Sequence, residues 1–387
     1  MSKAISQIIL LTCLFITGRA VALTIDNSSS ALNDRFANDP SFIMSNYDLS
    51  GVGRSEGGRW GTLVSRNVFV SANHFPPSTT NGSLTFYKTN DPTGESININ
   101  VASGQRIGSS DVWVGVLERP VPVGYAVYDL ATANINNTAQ FNSSVYHDLN
   151  AFLVGQSPFN NFGGARDVAV GRNVLDFFPT VNAEGTTDRS IAASINNAQD
   201  VTNEAGLVQF DSGAPLLVDL NENDNDYSLQ LVGANWYIGT LSGTELNGFT
   251  YLGNYDTQIQ AIIDNNPVPL LGDLNGNDVL DSLDIDAFIL ALIDPGTYSQ
   301  TYTTLNADVR GDFDENGVLD NLDIFGFVET ITLSGVLTTE DSALFEQLDL
   351  SSVPEPTSLA LFGFGGLLVL SRRHRQVPSG NEKTHQR

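Results

Sequence analysis

The chain has 387 residues, of which 41% are apolar and only 16% charged. An apolar share of that size supports a buried core, and so few charges favour strands and turns over long solvated helices. A net charge of −26 excludes a nucleic-acid-binding surface of the usual basic kind, because it repels polyanions and anionic lipid.

Residues 1–22 read as a secretory signal peptide. Lys3 supplies a positive start, Ile8 to Ile16 form an apolar run too short to span a bilayer, and Ala20-Val21-Ala22 is a small-x-small cleavage site. Leu23 then starts the mature chain. Cys13 is the one cysteine and lies in this leader. An exported protein with no further cysteine cannot use disulfides, so its stability must come from the core and from any metal it binds.

From 60 to 255 short apolar or alternating runs recur between Gly, Pro, Asn and Asp, as in "TLVSRNVFVSA", "SLTFYK", "DVWVGVL" and "LQLVGANWYIG". Many short strands with turn signals predict a β-barrel or sandwich. A helical pattern follows in "DTQIQAIIDNN" (256–266), with Ile259, Ile262 and Ile263 on one face. The "PVP" at 267–269 ends it and makes a linker.

Beyond the linker the composition changes. Residues 271–350 carry 17 acidic residues and one Arg, so −16 of the charge falls there. "GDLNGNDVLDSLDI" begins at Gly272 and "GDFDENGVLDNLDI" at Gly311, an offset of 39, and each precedes an apolar helical stretch. Counted from Asp273, oxygen side chains fall at loop positions 1, 3, 5, 9 and 12: Asp273, Asn275, Asn277, Asp281 and Asp284. The second loop has Asp312, Asp314, Asn316, Asp320 and Asp323. Val279 and Val318 supply the carbonyls at position 7. This is the oxygen spacing that wraps Ca²⁺, with Gly at position 6 for the sharp turn. Gly317 provides that turn in the second loop, while the first has Asp278. Two Ca²⁺ sites are expected, the first weaker.

This repeat resembles dockerin type I modules, which share Asp at position 12. Over 271–332 the resemblance implies a small Ca²⁺-folded helical module that binds a cohesin-type partner. A purely structural Ca²⁺ staple remains open, as does an acidic turn without metal.

A serine hydrolase needs a base beside its nucleophile and a carboxylate to orient that base. His374 and His385 lie in the tail, which leaves His74 and His147. His147 matches no motif and reads as a surface residue. "GTLVSRNVFVSANH" places His74 after two apolar strands, "DVWVGVL" opens a strand on Asp111, and "FDSGAPL" holds Ser212. Taken alone, Asp-Ser-Gly is an ordinary turn.

In this order the three motifs resemble those of the trypsin-like, chymotrypsin-fold serine proteases, over roughly 45–265. The resemblance implies an all-β double β-barrel for residues 23–266, followed by the small α-helical Ca²⁺-binding module. It implies a secreted serine endopeptidase acting on protein or peptide substrates. Ser212 would be the nucleophile, His74 the general base and Asp111 its orienting carboxylate. The backbone amides of Phe210 and Ser212 would form the oxyanion hole, and Asp211 would shape the loop. Departures are also legible. Phe210 stands where the family has Gly, Gly206 replaces the acid of trypsin-type pockets, and no Ile-Val-Gly-Gly start appears near residues 40–60. Arg/Lys specificity and activation by a freed N-terminus are therefore not expected. The alternative reading is a weak or inactive protease-fold protein that binds at the surface or in the matrix.

The chain closes with "VPEP" (353–356), an apolar run (357–370) and "SRRHR" (371–375). Residues 353–375 resemble the PEP-CTERM sorting signal of Gram-negative bacteria. That implies a short transmembrane-type segment with its basic end cytoplasmic, cleavage by an exosortase-type enzyme near Pro354–Pro356, and release to the cell surface or the extracellular matrix.

Overall fold

The structure, a computed structural model, describes residues 9–10, 22–159, 163–195, 201–221 and 227–334. It divides into two compact units, Met1–Val268 and Pro269–Arg387. The leader, apart from the backbone of Ile9–Leu10 and from residue 22, and the whole sorting segment lie outside the described residues. Among the described residues no helix is long and apolar enough to cross a membrane.

Six strands of the first unit close a barrel: β1 (Val52–Arg54), β2 (Trp60–Leu63), β3 (Val68–Ala72), β4 (Ser83–Tyr87), β5 (Ser96–Arg106) and β6 (Val112–Leu117). They run in the order β1-β2-β3-β6-β5-β4, and Arg54 opposite Thr85 joins the ends. The period-2 pattern decides what fills it. Leu84 and Phe86 alternate inward on β4 and meet Leu63, Phe69, Ile99 and Trp113. β3 is buried along its whole length because both of its faces are used. Phe69 points into the barrel, while Val68 and Val70 join a second core with Val154 and Leu217.

Those partners belong to a second sheet: β7 (Asn150–Gly155), β8 (Ala169–Val174), β9 (Thr180–Ala183), β10 (Thr186–Ser194), β11 (Pro215–Val218), β12 (Gln230–Leu241) and β13 (Thr244–Tyr251). Its order is β9-β10-β13-β12-β11-β7-β8. Glu184-Gly185 and Ser242-Gly243 make two-residue turns with positive φ at both positions, the geometry that matches strand twist in a hairpin. The sheet curls until its ends meet. The amides of Asp176 and Phe177, just past β8, donate to Ala192 O at 3.0 and 3.1 Å. Asn173 Nδ2 donates to Ser194 O at 2.9 Å and to Ala205 O at 3.1 Å. Helix α1 (Asp256–Asn265) then packs Ile259 fully into the core. The unit is thus the all-β double barrel that the sequence implied, and helices follow it.

The second unit contains α2 (Ser282–Ile293), α3 (Pro295–Thr301) and α4 (Asp323–Leu333). Phe288 of α2 and Phe327 of α4 stack at 3.9 Å between ring centres, with planes 1° apart. These two residues are 39 positions apart, the offset of the repeat. Equivalent faces of the two halves therefore pack on one another, and Tyr298, whose hydroxyl donates to Leu274 O at 2.7 Å, closes the core.

Candidate functional site

Strands β3 and β6 are antiparallel neighbours with Ala72 opposite Val112. Residues one or two beyond that pair leave the sheet side by side. The amide of Asn73 donates to Asp111 O at 2.7 Å, and the amide of His74 to Asp111 Oδ1 at 3.0 Å. The other carboxylate oxygen, Oδ2, lies 2.7 Å from His74 Nδ1. Asp111 is fully buried, so its carboxylate oxygens face these donors and not water. A carboxylate on Nδ1 keeps the proton there and leaves Nε2 as an acceptor. His74 Nε2 lies 2.8 Å from Ser212 Oγ.

Ser212 arrives from the second barrel, in the turn before β11. Gly213 N donates to Asn235 O at 2.9 Å, and Asn235 N to Ala214 O at 2.9 Å, which pins the turn to β12. Gly213 has φ +86°, and a Cβ there would lie 2.6 Å from Ser71 Oγ and 2.9 Å from Ala72 N. Only glycine lets the serine turn come this close to β3. The structure therefore brings His74, Asp111 and Ser212 into one hydrogen-bonded chain.

Phe210 adopts φ +79°, the left-handed backbone that favours glycine. Its carbonyl accepts from Trp60 Nε1 at 3.2 Å, and its half-exposed ring lies 6.0 Å from that of Phe75. Among the described residues, neither Phe210 N nor Ser212 N has a protein acceptor. Asp211 is buried beneath the turn. Its carboxylate accepts from Gln156 N at 2.7 Å and Val208 N at 2.9 Å, and a Cβ on Gly155 would strike it.

Burial pushes the Asp211 carboxyl up to about 7, against two amide donors and the charge of Arg54, which pull it down. A folded value above the unfolded one means that the native state holds this proton longer. The favourable contribution is complete below about pH 4 and declines as pH rises to about 7. The stability of the wild type relative to Asp211→Asn is expected to fall across that window in thermal melts. A flat difference would show that the carboxyl does not titrate there.

His147 stands apart from this site, 3.0 Å from Asp148 and against the ring of Phe141. Trp60, Arg54 and Asn235 lie around the Ser212 turn, and no local motif marks them. Their roles depend on pairings between distant strands.

In the second unit the two loops differ. Asp312, Asp314 and Asp323 each bring one carboxylate oxygen within 4.8 Å of the others. Asp323 also receives Phe313 N, Asp314 N and Asp320 N, while Gly317 N donates to Asp312 Oδ2. Asp312 Oδ1 is buried without a partner, and burial pushes this carboxyl up to about 6. Val318 N donates to Asn316 Oδ1 at 3.0 Å. In the first loop Asp273 receives the amides of Gly276, Asn277 and Asp278, and Arg310 sits on its Oδ2 at 2.7 Å. Asp284 receives Asn275 N and Asp281 N, and with Asp281 it makes the capping box of α2. Val279 N donates to Asn277 Oδ1.

Each loop has left-handed backbone at positions 4 and 6. The first fills them with Gly276 and Asp278, the second with Glu315 and Gly317. Each loop therefore carries one strained acidic residue, and Asp278 alone does not set the loops apart. What separates them is Arg310.

Residues 352–376 match the PEP-CTERM protein-sorting motif. The protein is sorted to the cell surface or beyond in a Gram-negative bacterium, with exosortase processing of its tail. No curated protein sequence matches the chain. Among solved structures, human heparin binding protein is similar at a TM-score of 0.39 and 13% identity, over 57% of this chain and 93% of that one. An atomic-resolution structure of the same protein gives 0.38, 14%, 57% and 93%, and a two-substitution mutant of the human protein 0.39, 13%, 57% and 94%.

Proposed function

We propose that the protein is a secreted serine endopeptidase that cleaves peptide bonds through an acyl-enzyme. The observation that carries this is the unbroken chain Asp111–His74–Ser212, with bonds of 2.7 and 2.8 Å and a buried carboxylate at its far end. Ser212 Oγ attacks the scissile carbonyl while His74 Nε2 takes its proton and later returns it to the leaving amine. Asp111 stabilises the imidazolium that forms between those steps. The amides of Phe210 and Ser212, which have no acceptor among the described residues, are the groups available to an oxyanion, and one such donor is worth about 10²–10³ in kcat. Labelling of Ser212 by a fluorophosphonate tests the reading. A correctly folded protein that resists the probe would leave the double barrel as a surface or matrix binding module.

The positive φ of Phe210 is the backbone that glycine adopts without strain, and it costs a non-glycine residue about 1–2 kcal/mol. Phe210→Gly is therefore expected to keep or raise kcat, with no loss beyond about threefold. A larger fall would show that the exposed ring itself serves the substrate.

We also propose that the second loop of the helical unit binds Ca²⁺ through Asp312, Asp314, Asn316, Asp320, Asp323 and the Val318 carbonyl. All its donors are oxygens, and the orphaned Asp312 Oδ1 suits a hard cation. Bound Ca²⁺ would neutralise the converging carboxylates and staple the loop. The first loop, with Asp273, Asn275, Asn277, Asp281, Asp284 and the Val279 carbonyl, is the weaker site because Arg310 competes for Asp273. Leu283 and Leu322, equivalent residues of the two halves, are both exposed and suit docking of a cohesin-type partner.

A further inference from the structure

We propose that Arg54 is a positioning residue for the Ser212 turn, an internal cation that sets the loop from behind. The proposal rests on the nucleophilic role of Ser212. Three observations on different elements converge on Arg54. The side chain is 4% exposed, and its Nη1 lies 3.8 Å from Asp167, itself 4% exposed. Its guanidinium sits 4.9 Å from the ring centre of Trp60, its register partner across β1 and β2. Trp60 Nε1 in turn donates to the carbonyl of Phe210, two residues before the nucleophile.

The charge arrangement points the same way. Asp211, adjacent to Ser212, is 1% exposed, and the field of Arg54 favours its ionised form. Arg54 is also the cationic counterpart of Asp167. Two buried carboxylates behind one turn need a nearby positive charge, and a rigid guanidinium that also donates to Gly164 O supplies it without mobile solvent. Arg54 Nε and Asp167 Oδ1 are each buried without a hydrogen-bond partner, so the 3.8 Å charge contact between their groups is what compensates those two atoms. The indole transmits the placement. Cation–π contact holds the ring, and the ring N–H fixes the direction of the Phe210 carbonyl, and with it the Phe210–Asp211 peptide.

The test compares the full-length chain with Arg54→Met, Arg54→Lys and Trp60→Phe. Two quantities are measured: the second-order rate of fluorophosphonate labelling and amide hydrogen exchange over residues 207–214. Arg54→Met is expected to label about 10²-fold more slowly, the scale of an ångström-level misplacement at a reacting centre. Arg54→Lys should recover part of that loss. Trp60→Phe should label about tenfold more slowly, and exchange at 208–213 should rise in every variant. A purely structural Arg54 would lower the melting temperature and leave rate and exchange of Trp60→Phe and Arg54→Lys at wild-type values, which overturns the proposal. If Arg54→Met does not fold, those two variants decide. If the wild type itself resists the probe, the endopeptidase reading fails, and exchange alone judges Arg54: faster exchange in the variants upholds it, and unchanged exchange refutes it.

Discussion

Ser212→Ala is expected to abolish fluorophosphonate labelling and to lower kcat about 10⁶-fold. Asp111→Asn, which preserves shape but reverses the imidazole tautomer, should cost about 10⁴-fold. The asymmetry follows from the geometry. Removing Oγ deletes the bond-forming atom, whereas an amide at position 111 presents N–H to His74 Nδ1 and so forces the ring proton toward Ser212. Both variants should melt near the wild type, since Ser212 has one partner and Asn fits the Asp111 pocket. Activity is read on a peptide library and stability by calorimetry. Equal activity in wild type and Ser212→Ala would remove the catalytic assignment outright.

The second large effect belongs to the helical unit. At Ca²⁺ about a hundredfold above its dissociation constant, the unit should gain about 2.7 kcal/mol. In calorimetry its transition should rise with added Ca²⁺ and fall with chelator. Asp312→Asn should remove most of that response, because it replaces the buried oxygen that has no other partner. Asp273→Asn should remove much less, since Arg310 already occupies that carboxylate. The reverse order would move the tighter site to the first loop, and no response in any variant would leave these carboxylates as amide acceptors and helix caps.

The site itself was largely legible along the chain. His74 and Asp111 each adjoin the end of an apolar strand, and Ser212 stands in a turn before another. Such positions show in sequence because strand periodicity is local. Phe210 was legible too as a residue where the resembled family has glycine, and its φ is +79°. The ring of groups behind Ser212 was not legible. Arg54 and Trp60 lie in a short barrel hairpin whose motif resembles nothing catalytic, and only barrel closure and the packing of the two barrels bring them under residues 210–211. In the calcium-type loops the ligand spacing was plain, yet Arg310, which separates the two loops, sits 37 residues from Asp273 and enters through the fold.

Composition and local pattern by themselves determined an all-β body with a separate acidic repeat after it. They also carried a segment that matches a sorting motif. Tertiary structure decided whether the chemistry is assembled. A hydrogen bond of 2.8 Å between residues 138 positions apart depends on two barrels meeting face to face, with Gly213 pressed against β3. Local sequence encodes the direction of a side chain, while the distance between two such side chains is set by everything packed between their strands.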